Sequence, residues 1–290
     1  MEQIERGILY ENAYLGVTVG GLVFPHGTIM IDAPIRVEDA NLWRSQLLNQ
    51  RRGSNRLLIL LDSHPDRTLG ARTMESTILA HQNTAEYFIN LPMIFKGINV
   101  DSGALWEIYN EAIGMRWAIP DITFSERLTL HWGEPEVIIE YHPGSSSGAI
   151  WVIIPELEII FVGDTVVLNQ PVFLADADLE LWLQALVELR STYKNYRIIS
   201  GRGGLTDVIA VREQIKYIRK ILRAVERLAE REAEPAATEK LIPRLLKGLD
   251  YPQEWQTLYE QRLKHGLHQY YSRMYGVKNE QGQSQDEDGK

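Results

Sequence analysis

Residues 57–61 read LLILL, and the next six positions are Asp62, Ser63, His64, Pro65, Asp66 and Arg67. Five apolar residues in a row, bounded by a turn and a charged loop, predict a strand covered on both faces. Its sheet must then lie between two other layers. The end of that strand delivers four ionisable side chains into one small volume, and such loops are where sites are built.

The remaining pattern agrees with a layered fold. Short β-rich runs at 8–10, 16–19, 22–24 and 28–31, broken by Gly and Pro, predict a meander of hairpins. Helical spacing follows over 37–49, with Leu42, Trp43, Leu47 and Leu48 on one face. After the strand at 56–61 come a turn-rich stretch, a strand at 77–79, a helix from about 83 to 89 and helical spacing between 91 and 118. β-character returns at 122–124, 127–132, 137–141, 149–154 and 159–162. A helix over 179–190, a strand at 197–200 and a long helix over 208–232 complete the set. The order describes two β-rich halves with helices attached, which two sheets face to face with helices outside would satisfy.

At the C-terminal side, EAEPAATEK at 232–240 reads as a linker. Further helices are expected at 241–248 and 254–275, the second carrying Trp255, Leu258, Tyr259, Leu263, Leu267, Tyr270 and Tyr271 along one broad face. Such a stripe packs on its own domain, forms a homodimer contact or lines a substrate cleft. The expected division is a core domain at 1–233, a helical extension at 234–277 and a disordered tail at 278–290.

Composition limits the chemistry. The chain of 290 residues has no cysteine, which excludes disulfides and thiolate metal sites and leaves His and carboxylates as metal ligands. A net charge of −9 without a basic stripe argues against a nucleic-acid partner. The acidic N-terminus, MEQIERG, lacks the basic and apolar regions of a secretion signal, and no run approaches the roughly 18 apolar residues of a membrane span. A cytoplasmic protein is the expectation.

Four polar motifs each follow an apolar β-run: DSHPDR at 62–67, HPGSSSG at 142–148, GD at 163–164 and SGRGG at 200–204. Their order and spacing resemble the metallo-β-lactamase fold superfamily. So do the hairpin at 121–132, the AHQNT segment at 80–84, the segment from Gly144 to Gly163 and the helix at 179–189. The likeness covers about residues 8–225 and implies a four-layer αββα sandwich.

The resemblance also shows what has changed. The family's metal loop reads His-x-His-x-Asp-His, and here those positions hold Asp62, His64, Asp66 and Arg67. Ser145 stands where a Pro-Gly-His turn would supply a ligand, Asp164 keeps the bridging carboxylate, and Arg202 replaces the last histidine. One metal position would therefore retain Asp62, His64 and Asp164. The other would be Asp66, Arg67 and Arg202, and a guanidinium has no lone pair to offer a metal.

Two functional readings follow. In the first, Arg67 and Arg202 replace the dication in a degenerate site, no cofactor is bound, and the old cleft is non-catalytic or binds a small anionic metabolite. Its ligands would be met by Arg67, Ser145, Ser146, Arg202 and the backbone of Gly203. In the alternative, one Zn, Fe or Mn ion on Asp62, His64 and Asp164 supports hydrolysis of an ester, thioester or phosphodiester, with Asp66 as general base. His142 and His81 are expected as structural residues. The spacing of His265 and His268 is read as coincidence, and Ser145–Ser147 lack the context of a serine-hydrolase elbow.

Overall fold

The protein is described by a computed structural model covering residues 1–50, 53–97 and 101–276. The first sheet has seven strands in chain order: β1 (Glu2–Glu5), β2 (Ile8–Glu11), β3 (Val19–Phe24), β4 (Gly27–Ile31), β5 (Asn55–Ile59), β6 (Thr77–His81) and β7 (Ile122–Phe124). Strands β1 to β4 form antiparallel hairpins, and β4 to β7 run parallel. The second sheet runs β13 (Gly204–Thr206), β12 (Arg197–Ser200), β11 (Ile159–Phe161), β10 (Ile150–Ile154), β9 (Val137–Tyr141), β8 (Arg127–Leu130). Its one parallel pair is β11 with β12.

The apolar run at 57–61 divides its side chains by strand alternation. Leu57, Ile59 and Leu61 face the second sheet and pack with Val152, Phe161 and Ile199. Leu58 and Leu60 face outward, into a layer with Trp43 and Leu47 of α1 (Val37–Leu48) and Phe88 of α3 (Gln82–Ile89). On the far side, Trp151, Ile153 and Ile160 pack against α4 (Leu179–Thr192) and α5 (Val208–Ala229). The architecture is therefore the expected αββα sandwich. A short helix, α2 (Pro65–Thr68), follows β5.

The structure departs from the sequence reading in several places. Residues 16–18 lie outside any strand, and the runs at 16–19 and 22–24 resolve into the single strand β3. On α1 the buried face is Ala40, Trp43 and Leu47, while Leu42 is exposed. Among the described residues between 91 and 118 there is no α-helix, but two single 3-10 turns (Leu105–Ile108 and Asn110–Ala112) and a bridge between Ile94 and Arg116. Gly97, Gly103 and Gly114 sit at positive φ there and break the helical path that the apolar spacing suggested.

The segment read as a linker forms a 3-10 helix, Pro235–Leu241, with Thr238 buried. It leads into α6 (Ile242–Leu246) and α7 (Gln256–Tyr275). Tyr259, Leu263, Leu267, Tyr270 and Tyr271 of α7 are buried in the outer layer of the second sheet. The tail at 278–290 lies outside the described residues, as do residues 51 and 52. No helix among the described residues is long and apolar enough to cross a membrane.

The serine-rich loop is seated on α4 through Gly144. That residue has φ +143, and a β-carbon there would stand 2.4 Å from Trp182 Cα. Gly144→Ala is expected to lower stability by about 2–4 kcal/mol, combining backbone strain with overpacking against a helix backbone. Urea unfolding followed by tryptophan fluorescence measures it, and an unchanged midpoint would contradict this account of the loop.

Candidate functional site

Strand geometry gathers the charged groups. Asp32 follows β4, Asp62 follows β5, Asp164 follows β11 and Arg202 follows β12. These are the C-terminal ends of parallel pairs in the two facing sheets, so their loops meet at one edge of the sandwich. Asp32 has φ +57, a conformation aspartate tolerates, and its Oδ1 accepts the Leu61 N–H at 2.9 Å.

Arg67 reaches into this edge from α2 and is completely buried. Its Nη1 donates to Asp32 at 2.9 Å, its Nη2 donates to Asp164, and its Nε lies 3.0 Å from Asp62 but off a hydrogen-bond line. Arg202 is 2% exposed. Its Nε donates to Asp164 at 3.0 Å, its Nη1 to Asp66 at 2.7 Å, and its Nη2 to His64 Nδ1 at 3.1 Å. Each nitrogen of both guanidinium groups thus faces a carboxylate or an imidazole inside the cluster.

Four carboxylates against two guanidinium groups leave an excess of two negative charges, and the proton affinities respond. Burial pushes Asp32 up to about 7, with Asp62 raising it further against the opposing pull of Arg67. Burial likewise raises Asp62. Asp164 and Asp66 go the other way, because Arg202 and its neighbours outweigh the same burial. Asp66 also accepts the backbone N–H groups of Trp106 at 2.8 Å and Leu105 at 3.2 Å. Burial holds His64 down at about 3, so its ring is neutral. Its Nδ1 accepts from Arg202 and from the Asp66 N–H, which places the proton on Nε2.

A cavity of about 340 Å³ lies over the cluster, lined by His64, Trp106, Ser145, Ser146, Phe173 and Arg273 among others. Ser145 Oγ, Ser146 Oγ and Trp106 Nε1 are buried without a hydrogen-bond partner among the described residues. Phe173 forms part of the wall. Its ring stacks under the guanidinium of Arg202 at 4.6 Å and of Arg262 at 4.1 Å, and its centroid is 4.2 Å from that of His64.

The expected site residues therefore separate into two groups. Asp62, His64, Asp66, Arg67, Asp164 and Arg202 converge in the ion cluster, while Ser145, Ser146 and His64 line the cavity. The geometry bears on three of the expected roles. Arg67 and Arg202 are sealed beneath the cavity with every nitrogen turned toward a partner in the cluster, so neither fork is presented to a ligand. Asp66 is fully buried with its oxygens held by Arg202, Leu105 and Trp106, so it is not placed as a base toward cavity water. Gly203 is exposed, beside Asn12 and Leu168, and does not line the cavity.

Sequence reasoning missed Asp32, although an apolar run ending in Asp is the same signal that singled out Asp62. It also passed over Arg262, a buried cation hidden in the aromatic stripe of α7. Nε of Arg262 donates to the Gly103 carbonyl at 2.9 Å and Nη1 to Gln170 at 2.9 Å, and burial lowers it to about 10. His142 stacks on Trp151 at 3.5 Å, and His81 caps α3 by accepting the Asn83 N–H.

The donor set does not fit the metal centre that the resemblance implies. Asp62 and Asp164 both face Arg67, and Asp66 faces Arg202, so the carboxylates a metal would need are already paired with guanidinium groups. Among the described residues no group of three or more His, Asp or Glu side chains is arranged to hold a metal ion.

Two outcomes follow. Arg67→Met leaves Asp32, Asp62 and Asp164 short of countercharge and is expected to cost about 3–5 kcal/mol at neutral pH. Urea titration measures it, and adding Asp32→Asn should restore part of the loss. The second outcome concerns acid. A His64 that stays neutral when folded binds its proton only in the unfolded chain between pH 3 and 6.5, so its contribution is complete above 6.5 and lost as pH falls toward 3. His64→Asn, which keeps an acceptor for the Asp66 N–H, should flatten the slope of stability against pH in that window by ~1 proton.

The comparisons with known proteins agree with this architecture. A model of the metallo-beta-lactamase superfamily matches residues 71–198, a span that begins after the Asp62–Arg67 loop and ends before Arg202. No curated protein sequence matches the chain. Among solved structures, a metallo-β-lactamase from Erythrobacter litoralis is 18% identical, with 76% of this chain and 95% of that one covered at a TM-score of 0.56. A metallo-β-lactamase from Pontibacter korlensis is 17% identical, covering 75% and 97% at 0.56. A stereoselective inverting sec-alkylsulfatase from a Pseudomonas species is 10% identical, covering 94% of this chain and 50% of its own at 0.67. Two facing sheets flanked by helices, the family match over residues 71–198 and the likeness to these solved structures identify the fold of this chain as that of the metallo-β-lactamase superfamily.

Proposed function

We propose that this hydrolase-like chain is a non-catalytic, ligand-binding form of the fold, in which an ion-pair cluster replaces the metal centre. Its cleft then takes a small metabolite carrying a carboxylate. The observation that carries the reading is the contrast at the cavity floor. Below it, Asp62, Asp66 and Asp164 are held by Arg67 and Arg202. Above it, the His64 Nε2–H, the Trp106 indole N–H and the hydroxyls of Ser145 and Ser146 supply donors around one space. Donors of this kind suit a ligand with acceptor oxygens. Arg273 and Asp176 on the wall balance each other in charge, which favours a monoanion over a more highly charged group.

The mononuclear hydrolase reading would require a metal to take Asp62 and Asp164 from Arg67. That guanidinium cannot deprotonate, and it would be left buried beside a dication. Metal analysis separates the two. Protein purified without chelator is expected to carry far less than one zinc, iron or manganese per chain, and to keep its melting temperature in chelator. Stoichiometric metal that disappears in His64→Ala would overturn the proposal. A second measurement addresses the ligand. Ser145→Ala and Ser146→Ala each remove a hydroxyl that has no partner, so stability should stay level or rise by up to ~1 kcal/mol. The same changes should abolish the thermal stabilisation given by a matching carboxylate from a panel of small acids.

A further inference from the structure

A second cavity, of about 390 Å³, shares no lining residue with the cleft. The segment that follows Asp164 forms one wall through Val167, Leu168, Asn169 and Gln170. The face of α5 forms the second, and the turn after α6, from Lys247 to Leu249, forms the third. Its walls are part of the fold and none belongs to the cleft.

Two buried groups of α5 point to a ligand. Gln214 is 5% exposed, and its Oε1 accepts the Val167 N–H at 3.4 Å. That contact fixes which end of the amide is oxygen, and the remaining Nε2 donor has no partner among the described residues. The Tyr217 hydroxyl, three residues on and so on the same helix face, is buried and equally without a partner.

Charge supplies the independent observation. Lys220 and Lys247 both line this cavity, and the Lys220 amine is bonded to the carbonyl of Arg244. The nearby positive charges of Arg244 and Lys247, added to burial, make Lys220 easier to deprotonate than an ordinary lysine. The one acidic side chain of the lining, Glu213, is paired instead with Lys216 at 2.6 Å. In a chain of net charge −9, cations crowded together without a carboxylate lower their energy by sharing an anion.

We propose that this cavity binds a small phosphomonoester, with Lys220 and Lys247 countering the phosphate dianion and Gln214 Nε2 and the Tyr217 hydroxyl donating to its oxygens. Leu168, Ala210 and Leu249 give the carbon part of the ester an apolar wall. The volume exceeds what a bare phosphate ion fills and sits at the lower end of the roughly 300–1,000 Å³ range of small-molecule sites. This site does not depend on the cleft reading.

Isothermal titration of the full chain with glycerol 3-phosphate and with inorganic phosphate, at matched ionic strength, tests the proposal. Glycerol 3-phosphate should bind saturably and more tightly than inorganic phosphate. The paired change Lys220→Gln and Lys247→Gln should weaken it ~10-fold or more, the scale of losing charge-assisted bonds. Gln214→Glu, which keeps an acceptor for Val167 but removes the free donor, should do the same. Lys220→Arg with Lys247→Arg should retain binding, and so should Ser146→Ala. Undiminished binding in the Lys→Gln pair overturns the site. Loss in Ser146→Ala places the ester in the cleft and likewise overturns it. Equal affinity for both probes overturns the ester assignment, and absence of saturable heat with either overturns the whole.

Discussion

The guanidinium of Arg67 is the group on which the arrangement of the two sheets at their common edge depends. It rises from the loop after β5 in the first sheet and holds Asp32 and Asp62 there, while its Nη2 crosses to Asp164 of the second sheet. Arg202 makes the reverse crossing, from the end of β12 to Asp66. The sandwich is thus tied twice, once in each direction, at the place where a metal would join the same loops in the family it resembles. Such a cluster does not earn its place by net stability, since burying charges costs about as much as their attraction returns. What it supplies is a single geometry: removing either guanidinium leaves buried carboxylates without their countercharge.

Protons complete the balance. Two guanidinium groups cannot neutralise four ionised carboxylates, and the excess falls on Asp32 and Asp62, which burial drives toward the protonated form. Asp66 and Asp164 remain ionised because Arg202 outweighs their burial. The consequence reaches the cleft through His64. Arg202 and the Asp66 N–H both donate to its Nδ1, so the cluster dictates that the face turned to the cavity is a donor, Nε2–H. A buried ion network therefore sets the hydrogen-bonding character of a surface it does not itself reach.

Much of this was legible in the sequence because it followed local patterns. The apolar run ending at Leu61, the Gly-Asp pair after β11 and the Gly-Arg-Gly turn after β12 each placed a charged residue at a strand end, and the strand ends meet. What the sequence could not convey was direction. Arg67 and Arg202 read equally well as ligand-facing forks or as internal partners, and only the packing of α2 and of Phe173 decides that they point down rather than up. The stretch from 91 to 118 misled for a different reason. Its apolar spacing suits a helix, but glycines at positive φ turn it into a strap whose backbone N–H groups at Leu105 and Trp106 serve Asp66. Asp32 went unnoticed because its role depends on Arg67, 35 residues away in sequence.

The two sides of the cavity floor argue for different histories of constraint. Below, each guanidinium nitrogen faces a partner, as a purely structural ion cluster requires. Above, Ser145, Ser146 and Trp106 keep polar atoms buried and unpartnered among the described residues. A serine hydroxyl without a partner contributes nothing to the fold, and replacing it by an apolar side chain is expected to be neutral or stabilising by up to ~1 kcal/mol. A chain that had kept only the structural role of the site would gain by replacing Ser145 and Ser146 with alanine. Paired charge beneath unpartnered hydroxyls is an asymmetry that the structural role of the ion cluster alone does not account for.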